Sequence, residues 1–264
     1  MVDESTVKTA RETAGHSVDL PEWMIPPEFK HDVFTFTRVI FRSSNGGPGF
    51  NIWTNDYPDA DLNLSARLQM LTSMKVDPDG RVIKLTDPAI SRYPLIWMSK
   101  PGRIRLRDNE VAPLSNYLLN GGTLLVDDFW GYQEWDNFAA QIKRVLPDRD
   151  WVELTMDHPL FHCVYDLQGP MNLLQVPTIS FMRRGFDPAN GLTAIEDYRG
   201  PGSADMHVRA ILDDKGHVMV IALHNTDTGD GMEREGENED YFNQYSESRA
   251  YPLMINIIYY VMTH

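Results

Sequence analysis

GGTLLVDDFWG, residues 121–131, decides how the chain folds. Gly121 and Gly122 end a helix, because a glycine enters the left-handed cap conformation without a Cβ clash. Residues 123–126 then form a short apolar run of the kind that is buried on both faces of a parallel sheet. Asp127 and Asp128 follow at once, with Phe129, Trp130 and Gly131 behind them. Carboxylates and aromatics thus leave a central strand at its carboxyl end, which is where open α/β sheets bind ligands.

The elements on either side support that reading. Upstream, residues 106–119 predict an amphipathic helix with Val111, Leu114, Tyr117 and Leu118 on its buried stripe, starting near Asn109 so that Pro113 falls close to its first turn. Downstream, residues 132–146 predict a helix with Trp135, Phe138, Ile142 and Val145 on one face, ended by Pro147. Earlier strands are predicted at 33–41, 82–85 and 93–99, with a helix after Asp59 or Asp61. Later come an edge strand at 151–155, short strands at 177–182 and 191–198, a hairpin of 209–212 with 217–223, and a buried helix at 249–262. Alternating strands and helices imply a flavodoxin-like three-layer α/β sandwich whose sheet is mostly parallel, with the hairpin added. The expected division is a polar tail and proline-rich arm over 1–32, then one domain over 33–264.

Composition narrows the partners. The 264 residues carry a formal charge of −14, which argues against nucleic acid and anionic membrane surfaces. No apolar run approaches the ~20 residues of a membrane span. Residues 227–240, DTGDGMEREGENED, hold much of the excess acid and read as a solvated loop, without the spacing of an EF-hand. Cys163 is the sole cysteine; a lone thiol of this kind reads as an inert core residue, with a nucleophile beside His162 as the alternative.

Candidate site residues come from strand ends. Asp127, Asp128 and His158 form a candidate acid-base set, a carboxylate orienting the imidazole. Asp128, His158 and His224 form a candidate set of ligands for a divalent metal, with Asp227 beside them, although no HExxH-type spacing is present. Trp53, Asp56 and Tyr57 in the first strand-to-helix loop, with Phe129 and Trp130, are candidates for ligand contact; the aromatics serve equally well as packing under the loops. Asp127 or Asp128 has the alternative of capping the next helix, and His158, His224 and Asp227 that of bracing turns.

Five blocks in order carry a resemblance: WTNDYPDADLNL (53–64), YPLIWMSKPG (93–102), NGGTLLVDD (120–128), DHPLFHCVYDL (157–167) and NIIYY (256–260). Together they resemble DUF4159, a bacterial family of unknown function, over residues 34–264. The resemblance implies a fold similar to class I glutamine amidotransferases and establishes no activity. Those enzymes carry a cysteine at a strand-to-helix elbow where this chain has Asp127 and Asp128, so glutamine hydrolysis is not expected. Family members often look exported, which implies a periplasmic or envelope location for a chain freed of its leader, with the cytoplasm as the alternative. The expected function is a non-catalytic module that binds a small molecule, a carbohydrate or an envelope protein; the alternative is a metal-assisted or Asp/His hydrolase, with carbohydrate as a candidate substrate.

Overall fold

A computed structural model of the chain describes residues 2–17, 20–29, 32–44, 51–182 and 199–264. Seven strands form one sheet in the order β2-β1-β3-β4-β7-β6-β5: β1 (Thr37–Ile40), β2 (Arg81–Lys84), β3 (Leu95–Ser99), β4 (Thr123–Phe129), β5 (Val152–Glu153), β6 (His207–Leu212) and β7 (Val218–His224). The contacts from β2 through β7 are parallel, and β6 pairs antiparallel with both β7 and β5. This is a three-layer α/β architecture with a hairpin on one side of a parallel sheet.

Strand pleat sorts the core into two layers. Leu125, Trp97 and Ile221 point to one face, where α1 (Asp59–Leu71) and the C-terminal α7 (Tyr251–Thr263) cover them. Leu124, Val126, Ile96, Met98 and Val220 point to the other, under α2 (Asp108–Leu119) and α3 (Gly131–Val145). Period-two alternation in β4 thus feeds both layers. The predicted helix stop is present: Gly121 has φ 93° and the Gly122 amide donates to the Tyr117 carbonyl at 3.0 Å.

Two expectations are corrected. Residues 177–182 do not form a strand; α4 (Ile179–Met182) lies there, and the Ile179 amide donates to the Asp230 carboxylate instead of a ladder. Residues 227–240 are a solvated loop only in their second half, where 234–237 turn and 236–240 are exposed; 227–232 are buried. Asp227 caps a buried helix, α5 (Thr228–Glu233), and α6 (Glu239–Tyr241) then runs through a π-helical stretch (Phe242–Ala250) into α7. The strand predicted at 191–198 lies outside the described residues.

The N-terminal segment is bonded to the body. Ala10 is buried, its amide donates to the Asp79 carbonyl, and the Val82 amide donates to the Lys8 carbonyl beside β2. Trp23 in the proline-rich arm donates its indole N–H to the Val76 carbonyl at 2.7 Å.

Candidate functional site at the carboxyl edge

In this strand order the chain turns from β1 outward to β2 and then returns to β3 on the other side. The switch point lies between β1 and β3, where a crevice opens in sheets of this type. Asn55 and Asp56, in the loop after β1, meet Ser99 and Lys100 at the end of β3: Ser99 Oγ donates to Asp56 Oδ2 at 3.0 Å, and Lys100 Nζ donates to Asn55 Oδ1 at 2.7 Å. Asp128 joins them from β4, its Oδ2 2.9 Å from Lys100 Nζ and 3.2 Å from Asn55 Nδ2.

The backbone at this edge is unusual. Asp56 (φ 61°), Lys100 (φ 59°), Asp128 (φ 53°) and Asn225 (φ 63°) are the non-glycine residues with positive φ among those described; the last three follow or end a strand, and Asp56 lies between the 3-10 turn Ile52–Thr54 and α1. A left-handed residue with a Cβ costs roughly 1–2 kcal/mol. Such outliers gather at functional sites, where the surrounding structure holds them. Asn225 is a structural member: its amide side chain accepts from the Gly131 N–H at 2.8 Å and donates to the Gly202 and Asp205 carbonyls.

The adjacent acids Asp127 and Asp128 divide in role. Asp127 is wholly buried and accepts from Trp97 Nε1 at 2.9 Å, from the Gly229 amide at 2.9 Å and from Thr228 Oγ1. It ties β3, β4 and the start of α5 together, although burial still pushes its carboxyl up to about 8. Asp128, also buried, instead meets Lys100, Asn55 and Trp130.

Three buried carboxylates converge there. Asp56, Asp128 and Asp227 each offer an oxygen within 4.8 Å of the others. Asp227 caps α5 through Oδ1, which accepts from the Asp230 amide at 2.9 Å, while its buried Oδ2 has no hydrogen-bond donor. Asp56, Asp230 and Glu233 form a second group of the same dimensions, reached through the first turns of α5. Gly229 permits this closeness, since a Cβ there would lie 2.1 Å from Asp56 Oδ2.

The electrostatics follow. Burial, and then the negative charge of Asp128, raise Asp56 above its ordinary value and Asp227 well above its own. Burial pushes Asp230 to about 7 and Glu233 to about 8, with Asp56 adding to both. Lys100 is partly buried, which opposes its charge, yet Asp128, Asp227 and Asp56 outweigh that and hold its ammonium protonated.

Beneath the loop, Arg38 of β1 is fully buried. Its Nε donates to both Asp61 oxygens at 3.0 Å, and Nη1 donates to the carbonyls of Trp53 at 2.9 Å and Asn55 at 2.8 Å. A charge inside the sheet layer thus fixes the loop that carries Asn55 and Asp56.

Other predicted residues lie elsewhere. His158 caps a short 3-10 turn, its Nδ1 accepting from the Leu160 amide, with its ring against Tyr260. Tyr260 borders a cavity of about 550 Å³ that also touches Gly122 and Thr123, at the amino end of β4. His158 is therefore at the other end of the sheet from Asp128. His224 is buried: Arg209 donates to its Nδ1 at 3.2 Å and its Nε2 donates to the Gly131 carbonyl at 3.0 Å. Burial depresses its pKa to about 3, so it is a neutral packing group beside Phe129 and Trp135. The set Asp128, His158 and His224 is not brought together.

The predicted ligand-contact aromatics are in the core. Trp53 donates its indole N–H to Glu4 at 2.7 Å and packs on Tyr57, whose hydroxyl donates to the Thr9 carbonyl at 2.8 Å. Phe129 packs on Phe138. Trp130 is buried but borders the site, donating to Asp128 Oδ1 at 2.9 Å with Arg199 over its ring. Cys163 is half-buried, its thiol donating to the Asn256 carbonyl at 3.2 Å, and burial raises its pKa.

Residues 44–262 match the family model described as "Domain of unknown function (DUF4159)". The chain belongs to the DUF4159 family. No curated protein matches it. Asp230, Glu233, Ser99, Lys100 and Asn55 gather at this edge although residue patterns had not singled them out. Asn55, Asp56, Ser99, Lys100, Asp127 and Asp128 all fall within the blocks that carried the resemblance. No helix among the described residues is long and apolar enough to cross a membrane.

Proposed function

We propose that the carboxyl edge of this DUF4159 chain is a hydrolytic site assisted by a divalent cation, which Asp56, Asp128 and Asp227 hold. One observation carries the reading: Asp227 Oδ2 is buried without a donor, beside two further carboxylates within 4.8 Å. An orphaned anionic oxygen in that position is a large desolvation cost that a cation removes. Donors made only of carboxylate oxygen suit Mg²⁺, Mn²⁺ or Ca²⁺ better than zinc or copper.

The cation would supply an acidified water and a Lewis acid for a carbonyl or phosphoryl oxygen. Lys100 and Asn55, the part-exposed members of the site, lie where a substrate enters. Lys100 remains protonated, so it steadies developing negative charge and does not act as a base. Histidine has no part in this reading.

A binding or assembly module is favoured by a different observation. Lys100 Nζ already lies 2.9 Å from Asp128 Oδ2 and supplies a counter-charge without any metal. Against it, Trp53, Tyr57 and Phe129, which would stack on a sugar or a partner, are in the core, and Trp130 beside the site is buried. The finer fold assignment, class I glutamine amidotransferase-like, is also our reading. It is supported by the left-handed Asp128 at the β4-to-α3 turn, the kind of strained strand-to-helix turn that carries a nucleophile in other α/β enzymes. A bacterial envelope location and a carbohydrate ligand rest on the family resemblance alone.

The test is metal content and thermal unfolding of the chelator-treated chain with added Mn²⁺. At a hundredfold excess over Kd the wild type gains about 2.7 kcal/mol, or a rise in Tm of about 5–10 °C. Asp128→Asn and Asp227→Asn gain markedly less, and His158→Ala keeps the full gain. A wild-type Tm unmoved by Mn²⁺, Mg²⁺ and Ca²⁺ would sink the proposal and leave the Lys100-neutralised module.

A further inference from the structure

Asp56 belongs to both carboxylate groups, Asp56–Asp128–Asp227 and Asp56–Asp230–Glu233. Each group contains a buried oxygen that accepts no hydrogen bond: Asp227 Oδ2 in the first and Glu233 Oε2 in the second. The Glu233 side chain is only 9% exposed. Arg234 Nε lies 2.8 Å from that oxygen, but neither atom has a hydrogen-bond partner, so the contact lacks hydrogen-bond alignment.

Resident cations flank both groups: Lys100 and, at 3.9 Å from Asp128 Oδ1, Arg199 beside the first, and Arg234 beside the second. Lys100 and Arg234 each have a further partner. Lys100 contacts Asp128 and also donates to Asn55 Oδ1 at 2.7 Å. Arg234 neighbours Glu233 and also donates from Nη1 to Glu237 Oε1 at 2.8 Å. Either side chain can give up its carboxylate to an incoming ion without losing all its bonds. The third acidic group, His16–Asp59–Glu233, differs: Asp59 is saturated by the amides of His16 and Ser17, three contacts of 2.7–3.0 Å, with the His16 ring beside them.

We infer that the site takes two divalent cations, one on each side of Asp56, with the Asp56 carboxylate shared between them. This rests on the single-cation reading above and extends it. The first ion has Asp128 and Asp227 as its other protein ligands, and the second has Asp230 and Glu233. Its consequence is a substrate class. Paired divalent ions clamp the entering and departing oxygens of a displacement at phosphorus, which points to a phosphate ester rather than a glycoside. In that hydrolysis a water oxygen forms the new bond to phosphorus, the ester P–O bond breaks, and the departing alcohol oxygen takes up the proton that the water lost.

The experiment titrates the chelator-treated full chain with Mn²⁺, reading stoichiometry by calorimetry and spin coupling by electron paramagnetic resonance. Two ions per wild-type chain with an exchange-coupled spectrum are expected. Glu233→Gln and Asp227→Asn should each retain one ion and lose the coupling, and circular dichroism checks that both remain folded. One uncoupled ion in the wild type, lost in Asp227→Asn and kept in Glu233→Gln, overturns this inference and leaves the single-cation reading intact. No bound ion overturns both, and the wild-type count decides even where a variant fails to fold.

Discussion

Asp56 and Asp61 are five residues apart and both buried, yet their surroundings are opposite. Asp61 faces a guanidinium that meets both of its oxygens, and that guanidinium spends its remaining donors on two loop carbonyls. Asp56 faces Asp128, Asp227, Asp230 and Glu233, with one hydroxyl and one amide as its donors. Burial by itself therefore says little about role; the balance of donors to acceptors separates a brace from a site. A saturated acid holds structure, and an under-saturated group of acids awaits a cation.

The largest expected effect is on the brace. Arg38→Met strands the Asp61 carboxylate and frees the Trp53 and Asn55 carbonyls, and should cost about 3–5 kcal/mol in denaturant unfolding. A cost below about 1 kcal/mol would erase the distinction between the two regions.

The next effect belongs to the acid group and depends on pH. Asp230 at about 7 and Glu233 at about 8 lie above the values near 4 of an unfolded chain. The native state thus holds more protons than the unfolded one across that interval. Their contribution is fully present below about pH 4 and is lost as the pH rises through about 7–8. His224, held at about 3, acts in the other direction below its unfolded value near 6.5, because there the unfolded chain binds the extra proton. The decline should therefore be clearest above about pH 6.5, and Mn²⁺ should flatten it by replacing the protons. Urea midpoints across the range, with and without Mn²⁺, measure this; midpoints rising from pH 7 to 9 without metal would contradict it.

The smallest effect sharpens the contrast in backbone. Arg38 sits in a regular strand, whereas Lys100 holds φ 59°. Lys100→Gly and Lys100→Ala both remove the ammonium, but glycine accepts the left-handed conformation. The glycine variant should be the more stable by about 1 kcal/mol. Equal stabilities would mean that the local backbone is not strained.

The layers of the fold were readable from the chain because burial on both faces of β4 leaves an unbroken apolar run, and the Gly121-Gly122 stop fixes where it starts. Asp56 and Asp128 were readable because one lies in a strand-to-helix loop and the other at the end of an apolar strand. Asp230 and Glu233 were not, since DTGDGMEREGENED has the composition of a solvated loop and only tertiary packing turns its first half into a buried helix. Lys100 was not readable either, because SKPG carries no sign of its left-handed backbone. Trp53, Tyr57 and Phe129 misled for a related reason: a large aromatic near a strand end serves packing and recognition equally well, and here the core uses them. Asp-His-Pro gave His158 an apparent place near the acids, whereas the topology takes that turn to the amino end of the sheet.

The match to the family begins at residue 44, while β1 spans Thr37–Ile40 and lies between β2 and β3. A fragment cut at the match boundary would lack an interior strand, and with it the Arg38 guanidinium that anchors the loop carrying Asn55 and Asp56. For expression and for domain grafting, the cooperative unit is therefore longer than the recognisable one: it begins upstream of β1, and the segment from Glu4 to Ala10 that seals Trp53, Tyr57 and β2 belongs inside it.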